Sequence, residues 1–298
     1  MVRADTALRR FIVVAGGLFL CLTVFLGITA FAEIPDELEI DFFDVGQGDA
    51  TLIQTPTHHT ILIDGGRDAT VSRKIAAELP FYDKTIDLVI LTHPDLDHMG
   101  GLPDVLRRYR VGTIFSLDVS KDLGAYRAMM DRAHADGIPV VSVYAGDTIR
   151  FVPGLEMVVL APEKGQIREE DLNNSSIVVK LTYNTKHWLF TGDAAEESEN
   201  RMRARAQPLS ADVLKIGHHG SRFSSSAAFL QAVGADVAVI STGAKNPYGH
   251  PHPEALERVA RQGMTVYRTD RQGDIEMRSD GTFMTITTEK PERPASPF

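Results

Sequence analysis

Short apolar runs rich in β-branched and aromatic residues alternate with longer amphipathic stretches from Leu38 to about residue 288. Many of the short runs end in Gly, Asp or His, a pattern that predicts strands followed by tight turns. The predicted strands cover 38–45, 50–55, 60–66, 87–93, 112–117, 138–143, 148–151, 155–160, 175–183, 186–193, 212–217, 236–242, 265–268, 273–278 and 282–287. The predicted helices cover 71–79, 101–109, 122–136, 195–206, 225–233 and 253–262. Strands grouped with strands and interrupted by helices predict an α/β fold with two sheets covered by helices.

No Gly/Ser-rich linker interrupts this pattern, so residues 33–288 are predicted to form one domain. The tail 289–298 contains three prolines and is predicted to be disordered. Residues 1–32 differ from the main domain and from the tail. They contain an apolar run at 11–32, which follows three arginines and ends in Ala-Phe-Ala. This is typical of a secretory signal peptide. The run is also long enough for an uncleaved membrane anchor. Both interpretations place the main domain outside the cytoplasm, either secreted or periplasmic, or anchored to the membrane by residues 11–32.

The net charge and the cysteine content limit which partners the protein can bind and which residues can hold a metal. The formal net charge is −9, and no basic stripe suggests a long DNA-binding groove. The single cysteine, Cys21, lies in the N-terminal apolar run, so neither an intrachain disulfide nor a disulfide-linked partner is expected. Thiolate ligands are also excluded from the main domain. Any metal there must be held by His, Asp and Glu, which suits zinc, manganese or iron.

Ionisable side chains stand at the ends of five predicted strands. The densest group is the segment HPDLDH at 93–98, which places four potential metal ligands within six residues. The other strand ends carry Asp64, Asp193, the pair His218 and His219, and the loop containing His250. Loops at the carboxyl ends of strands commonly form active sites, so these groups are predicted to share one cavity. The simpler interpretations are a charged surface loop for HPDLDH and a helix-capping role for Asp193.

Eight segments in this order resemble the metallo-β-lactamase superfamily, and within it the hydrolase domain of ComEC-like DNA-uptake proteins and their stand-alone relatives. They are DVGQGDATLI (44–53), ILIDGG (61–66), THPDLDHMGG (92–101), LNNSSIVV (172–179), LFTGD (189–193), DVLKIGHHGS (212–221), NPYGHPHP (246–253) and VYRTDRQGDIEM (266–277). The resemblance implies an αββα sandwich, in which two mixed sheets are flanked by helices and the metals lie at one edge.

The resemblance also implies roles for individual residues. The implied metal ligands are His93, Asp95, Asp97, His98, Asp193 and His218 or His219, between which the sequence does not choose. Asp97, beside His98, is expected to orient or deprotonate the water, and the implied reaction is hydrolysis by a hydroxide that bridges two metals. The candidates for substrate or supporting contacts are Asp64, Asn173, Asn174, Ser221, Tyr248 and His250.

Two departures from the superfamily pattern affect the expected metals. Asp95 stands where the superfamily has a histidine, and Asn173 and Asn174 stand near the place of another. Oxygen ligands weaken zinc binding and suit manganese. We therefore expect two divalent metals, zinc or manganese, with one site weak.

The predicted function is that of an exported phosphodiesterase or nuclease, acting on a small-molecule or nucleic-acid phosphodiester. A hydrolase of small-molecule esters, lactones or β-lactams is one alternative. A non-catalytic, metal-stabilised binding domain is another. The membrane is an expected partner only through an uncleaved N-terminal segment.

Overall fold

The computed structural model of the protein describes residues 37–119 and 123–291. The signal peptide or anchor predicted at 1–32 lies outside these residues, as does most of the predicted tail. No helix within the described ranges has both the length and the apolar character needed to cross a membrane.

Strands occupy most of the positions at which the apolar runs predict them. Their bounds are β1 Leu38–Phe42, β2 Thr51–Gln54, β3 Thr60–Ile63, β4 Thr85–Ile90, β5 Arg110–Ser116, β6 Val140–Ser142, β7 Thr148–Val152, β8 Leu155–Ala161, β9 Val178–Tyr183, β10 Lys186–Phe190, β11 Val213–Lys215, β12 Val237–Ile240, β13 Thr265–Arg268, β14 Ile275–Ser279 and β15 Met284–Thr288. They form two sheets, with orders β15-β14-β1-β2-β3-β4-β5-β6 and β13-β12-β11-β10-β9-β8-β7.

Both sheets are mixed, and each has a parallel half and an antiparallel half. In the first sheet the neighbours from β3 to β6 run parallel, and the others run antiparallel. In the second sheet the neighbours from β10 to β13 run parallel, whereas β7 to β10 run antiparallel. The parallel halves matter for function, because parallel strands bring their carboxyl ends, and the loops that follow them, to one edge.

Helices cover the outer face of each sheet. Their bounds are α1 Thr70–Glu78, α2 Leu96–Met99, α3 Leu102–Arg108, α4 Gly124–Ala135, α5 Glu196–Ala204, α6 Ala227–Val233, α7 Pro253–Arg261 and α8 Thr269–Gln272. Apolar residues of α1, α3 and α4 pack on the first sheet, and those of α5, α6 and α7 pack on the second.

The core between the two sheets follows from strand periodicity. In β10, Trp188 and Phe190 face the other sheet, whereas Leu189 faces the helices. In β4, Ile90 points inward and Val89 outward in the same way. Alternate side chains of a strand leave opposite faces, so a strand apolar on both faces is covered on both. The predicted αββα sandwich of two mixed sheets flanked by helices is confirmed.

The segment HPDLDH was predicted as one tight loop, but part of it is helical. Its second half begins the short helix α2 at Leu96, and Gly100 and Gly101 separate this helix from α3. A Cβ atom at Gly100 would lie 2.1 Å from the carbonyl oxygen of Arg67. Only glycine permits this approach, which holds the segment HPDLDH against the loop after β3.

Candidate metal centre

Both sheets contribute side chains to the candidate metal centre, from loops that follow their parallel strands. In the first sheet β3 leads into Asp64 and β4 leads into His93. In the second sheet β10 leads into Asp193, and β11 leads into His218 and His219. Four of the five predicted strand ends therefore meet at one edge of the sandwich, and the loop after β12 adds the fifth.

The two adjacent histidines after β11 have an unusual backbone. Both are in the left-handed helical region, with φ of 48° at His218 and 54° at His219. This conformation costs roughly 1–2 kcal/mol for each L-residue. It is held by a hydrogen bond from the His218 amide to the Gly192 carbonyl, 3.2 Å away, and by one from the Ser221 amide to the His218 carbonyl. The turn aims both imidazoles at Asp193.

Asp193 lies at the centre of the cluster. Its Oδ1 is 3.3 Å from His98 Nε2, and its Oδ2 is 3.5 Å from His219 Nε2 and 3.6 Å from His218 Nε2. His219 Nε2 also lies 3.4 Å from Asp97 Oδ2. One carboxylate oxygen of Asp193 faces His98 and the other faces His218 and His219. This side chain can therefore bridge two ligand groups.

Among the described residues, two groups of potential ligands in this pocket consist only of predicted ligands. One comprises His93, His98 and Asp193, and the other comprises Asp97, His98 and His219; within each, the ligand atoms lie within 4.8 Å of one another. His98 belongs to both, but one imidazole nitrogen binds one ion. Two ions would therefore divide these residues, with His98 serving one of them, and Asp193 lies close enough to both groups to contact either ion.

Asp95 lies closer to the protein surface than His93 does. Its Oδ2 is 3.7 Å from His93 Nε2, and 39% of its side chain is exposed. The group around His93 has this carboxylate where a buried imidazole would make a stronger ligand set.

The hydrogen-bond partners of three buried histidines fix which nitrogen carries the hydrogen. Thr92 Oγ1 donates to Asp64 Oδ2 at 2.8 Å, so it accepts from His93 Nδ1 at 3.1 Å. His98 Nδ1 donates to Asp64 Oδ2 at 2.8 Å. His219 Nδ1 donates to a backbone carbonyl after β12 at 3.0 Å. Each histidine therefore presents Nε2 to the cluster, the arrangement that orients imidazoles as metal ligands.

The atoms that face the pocket lack partners of their own. Nε2 of His93, His98 and His219 and Oδ1 of Asp193 are buried and make no well-aligned hydrogen bond to the described residues. Unsatisfied buried polar atoms are costly, and divalent cations bound by the two ligand groups would satisfy all four. Nitrogen and oxygen donors without thiolate suit zinc, manganese or iron. The residues present fit a metal centre.

The charge of the pocket also favours a cation. Burial opposes a positive charge on His98, but the carboxylates, led by Asp193, outweigh it and hold the pKa of His98 well above its usual value. The same balance raises the pKa of His219 to about 9. Burial and the neighbouring His98 lower the pKa of His93 to about 3, so this imidazole is neutral. A metal would replace the protons on His98 and His219, so its affinity falls as the pH falls.

Asp49 and Lys215 lie on the Nδ1 side of His219, away from the nitrogen that faces the pocket. Neither was among the predicted site residues. Asp49 Oδ1 is 3.2 Å from His219 Nδ1, and its other oxygen forms an ion pair with Lys215 Nζ. Both side chains are buried. The available signal was a lysine inside the apolar strand DVLKIG, since an ammonium group is buried only when it is paired.

His218 differs from His219. Its side chain is 28% exposed, and its Nδ1 accepts a hydrogen bond from Asn173 Nδ2 at 3.4 Å. Its hydrogen therefore lies on Nε2, the nitrogen that faces Asp193. Of the two histidines, His219 offers a lone pair to the buried pocket, and His218 lies at its mouth with Asn173.

The other predicted residues divide into two sets. His250 lies beside the histidine pair, and Tyr248 stacks on His250. Asn174 does not face the cluster, because its side chain donates to Asp171 and accepts from the amide of Ser198. Ser221 is buried in the turn before α6, where its hydroxyl accepts from the amide of Phe223 at 3.3 Å.

Comparison with known proteins agrees with this geometry. A sequence model of the metallo-beta-lactamase superfamily matches residues 43–244, which contain every ligand candidate named above. The chain belongs to the metallo-beta-lactamase superfamily. It is a metal-dependent hydrolase of that superfamily.

Curated relatives match most of this chain. ComE operon protein 3 of Bacillus subtilis is 31% identical over 91% of this chain and 37% of its own length. Recombination protein 2 of Haemophilus influenzae is 30% identical over 88% of this chain and 31% of its own length. The chain thus spans about a third of the length of these relatives, and a ComEC-like relationship fits.

Among solved structures, the metallo-beta-lactamase fold protein YhfI from Bacillus subtilis superimposes with a TM-score of 0.54 at 12% identity. The match covers 84% of this chain and all of YhfI. At this identity the likeness supports the fold alone, and the reaction has to be argued from the site.

Proposed function

We propose that this hydrolase cleaves phosphodiester bonds of nucleic acid. The observation that carries the proposal is the pocket in which three buried imidazole Nε2 atoms converge on the carboxylate of Asp193. The names of the relatives, which refer to the ComE operon and to recombination, support DNA as the substrate class.

We propose that two divalent cations occupy the pocket. One would be held by Asp97, His98 and His219, and the other by His93 and Asp95, with Asp193 shared between them. The second set has one imidazole and a half-exposed carboxylate, so we expect it to be weaker and to favour manganese over zinc. When bound, such a metal pair supplies a water of lowered pKa and positive charge for the phosphate oxygens.

The chain's own residues position this chemistry. Asp64 fixes the ring of His98, and the carbonyl of Ser241 fixes that of His219. Despite burial, His219 and His98 hold the pKa of Asp97 below its usual value. A carboxylate of such low basicity is a poor proton acceptor, so we assign Asp97 to holding the cation and orienting the water.

Metal analysis of the purified protein, followed by a cleavage assay on single-stranded DNA with manganese, tests this proposal. We expect bound metal, and cleavage that falls at least about a hundredfold in Asp97→Ala. The matched control is His134→Ala, which removes an exposed imidazole on α4 and should change neither metal content nor rate.

Other outcomes of the same assays would replace the proposal. Full activity in Asp97→Ala would show that the site assignment is wrong. Cleavage of bis-p-nitrophenyl phosphate without cleavage of DNA would favour a small-molecule hydrolase. Protein that binds metal but hydrolyses no ester would favour a binding domain.

We propose further that the domain acts outside the cytoplasm. The support is the arginine-flanked apolar run at 11–32 and its Ala-Phe-Ala end. Fractionation of cells expressing the full chain, with N-terminal sequencing, should find the domain in the exported or membrane fraction. Cleavage would give a chain that begins near Glu33. An intact chain confined to the cytoplasm would refute export.

A further inference from the structure

An aromatic ring stands at the mouth of the candidate metal centre. Tyr248 stacks on His250, with ring centroids 5.7 Å apart and an interplanar angle of 26°. The His250 ring lies 5.4 Å from the ring of His218 and 6.1 Å from that of His219. Ring contacts therefore lead from the ligand cluster outward to Tyr248, edge-on between His218 and His250 and stacked between His250 and Tyr248.

Tyr248 is exposed even though the residues around it are firmly held. More than half of the residue, 53%, is accessible to solvent. The loop that carries it is tied down by Asn246, whose side chain donates to the carbonyls of Gly243 and His250 and accepts from the His250 amide. An exposed tyrosine on a fixed loop offers its ring without first having to be ordered, which favours binding of a flat partner.

The net charge of the protein limits how a nucleic-acid partner could bind. With a formal net charge of −9, the chain is unsuited to bind a long polyanion by its phosphates. A nucleic-acid substrate must then gain affinity close to the site, from the metals and from non-ionic contacts. Stacking of bases on aromatic side chains is the main non-ionic contact available to single strands.

We propose that Tyr248, stacked on His250, is a platform for an unpaired base next to the phosphodiester that enters the metal centre. This deepens the proposed function and rests on it, because it names the substrate class as single-stranded nucleic acid. A base within a duplex is stacked on its neighbours and cannot lie on the tyrosine unless it is extruded.

The test compares an oligothymidylate with an abasic phosphodiester oligomer of equal length. The wild type should prefer the base-bearing oligomer, measured as the ratio of the two kcat/KM values. In Tyr248→Ala this ratio should fall about tenfold to a hundredfold, the range that one lost base–aromatic stack produces. Tyr248→Phe should retain the preference, because it keeps the ring and loses only the hydroxyl.

Tyr82→Ala is the matched control. Tyr82 is 66% exposed and lies before β4 begins, away from the strand ends that form the site. It should leave the preference unchanged. Fluorescence anisotropy of the oligomers with metal-free protein adds a readout without turnover, and the affinity for oligothymidylate should fall in Tyr248→Ala alone.

The outcomes separate the two proposals. Equal cleavage of both oligomers by the wild type, or equal cleavage of a blunt duplex and a single strand, would overturn the platform and leave the nuclease proposal standing. Cleavage of no nucleic acid would overturn the proposed function. Anisotropy would still decide whether Tyr248 binds a base.

Discussion

Asp193→Asn is expected to lose bound metal and hydrolysis together, with kcat/KM lower by about a thousandfold or more. The two oxygens of Asp193 face His98 on one side and the pair His218 and His219 on the other. The substitution keeps the shape of the side chain and removes its charge. Metal ions contribute several kcal/mol to catalysis, and each 1.36 kcal/mol corresponds to tenfold in rate.

Metal content by plasma mass spectrometry and steady-state rates on the preferred ester would test this prediction. Asp131→Asn, an exposed aspartate on α4, is the matched control and should retain both metal and rate. Full metal content and full activity in Asp193→Asn would show that Asp193 has only a structural role in the turn after β10 and does not bind metal.

Asp41→Asn is expected to stabilise the fold, and to do so more at high pH than at low pH. Asp41 lies on β1 with its side chain turned away from the core between the sheets, and it is buried. Burial, followed by the negative charges of Glu78 and Glu39, raises its pKa to about 9. One of its oxygens has no hydrogen-bond partner among the described residues.

The direction of the pH effect follows from that raised pKa. Below the ordinary pKa of an aspartate, the carboxyl is neutral in both the folded and the unfolded chain. Between about pH 4 and about pH 9, the unfolded chain releases this proton while the folded chain keeps it, so the contribution of Asp41 to stability declines. From pH 5 to pH 8 the decline amounts to about 4 kcal/mol, which Asp41→Asn removes because an amide does not titrate.

Urea unfolding of wild type and variant at pH 5 and pH 8, with saturating metal in every sample, would measure this difference. The free energy gained by Asp41→Asn should be several kcal/mol larger at pH 8. The exposed Asp131→Asn control should show no such trend. A gain independent of pH would mean that Asp41 is already ionised in the folded protein.

Strand periodicity and the spacing of ligand residues predicted the architecture well, because both are local signals. Inward and outward residues of β4 and β10 alternate as their apolar runs require. The ligand candidates follow strands whose carboxyl ends meet at one edge of the sandwich. The short helix that begins at Leu96 was missed, because four residues are too few for a helical period to show.

Contacts between distant parts of the chain could not be predicted in the same way. Asp49 was not among the predicted site residues, and only the fold places it between Lys215 and His219. Asn174 differs from its neighbour Asn173 only in direction, one facing α5 and the other His218. Spacing cannot reveal which of two adjacent side chains faces a site, because a turn can present either.

The proposed ligands of the pocket come from both sheets, with His93, Asp97 and His98 from one and Asp193 and His219 from the other. Each of the two proposed cations would join residues of both sheets across the open edge of the sandwich. Their binding energy is then added to the energy that keeps the two sheets together. Metal supply would govern how long a molecule survives proteolysis as well as how fast it works, and copies that miss their cation would be the first to be degraded.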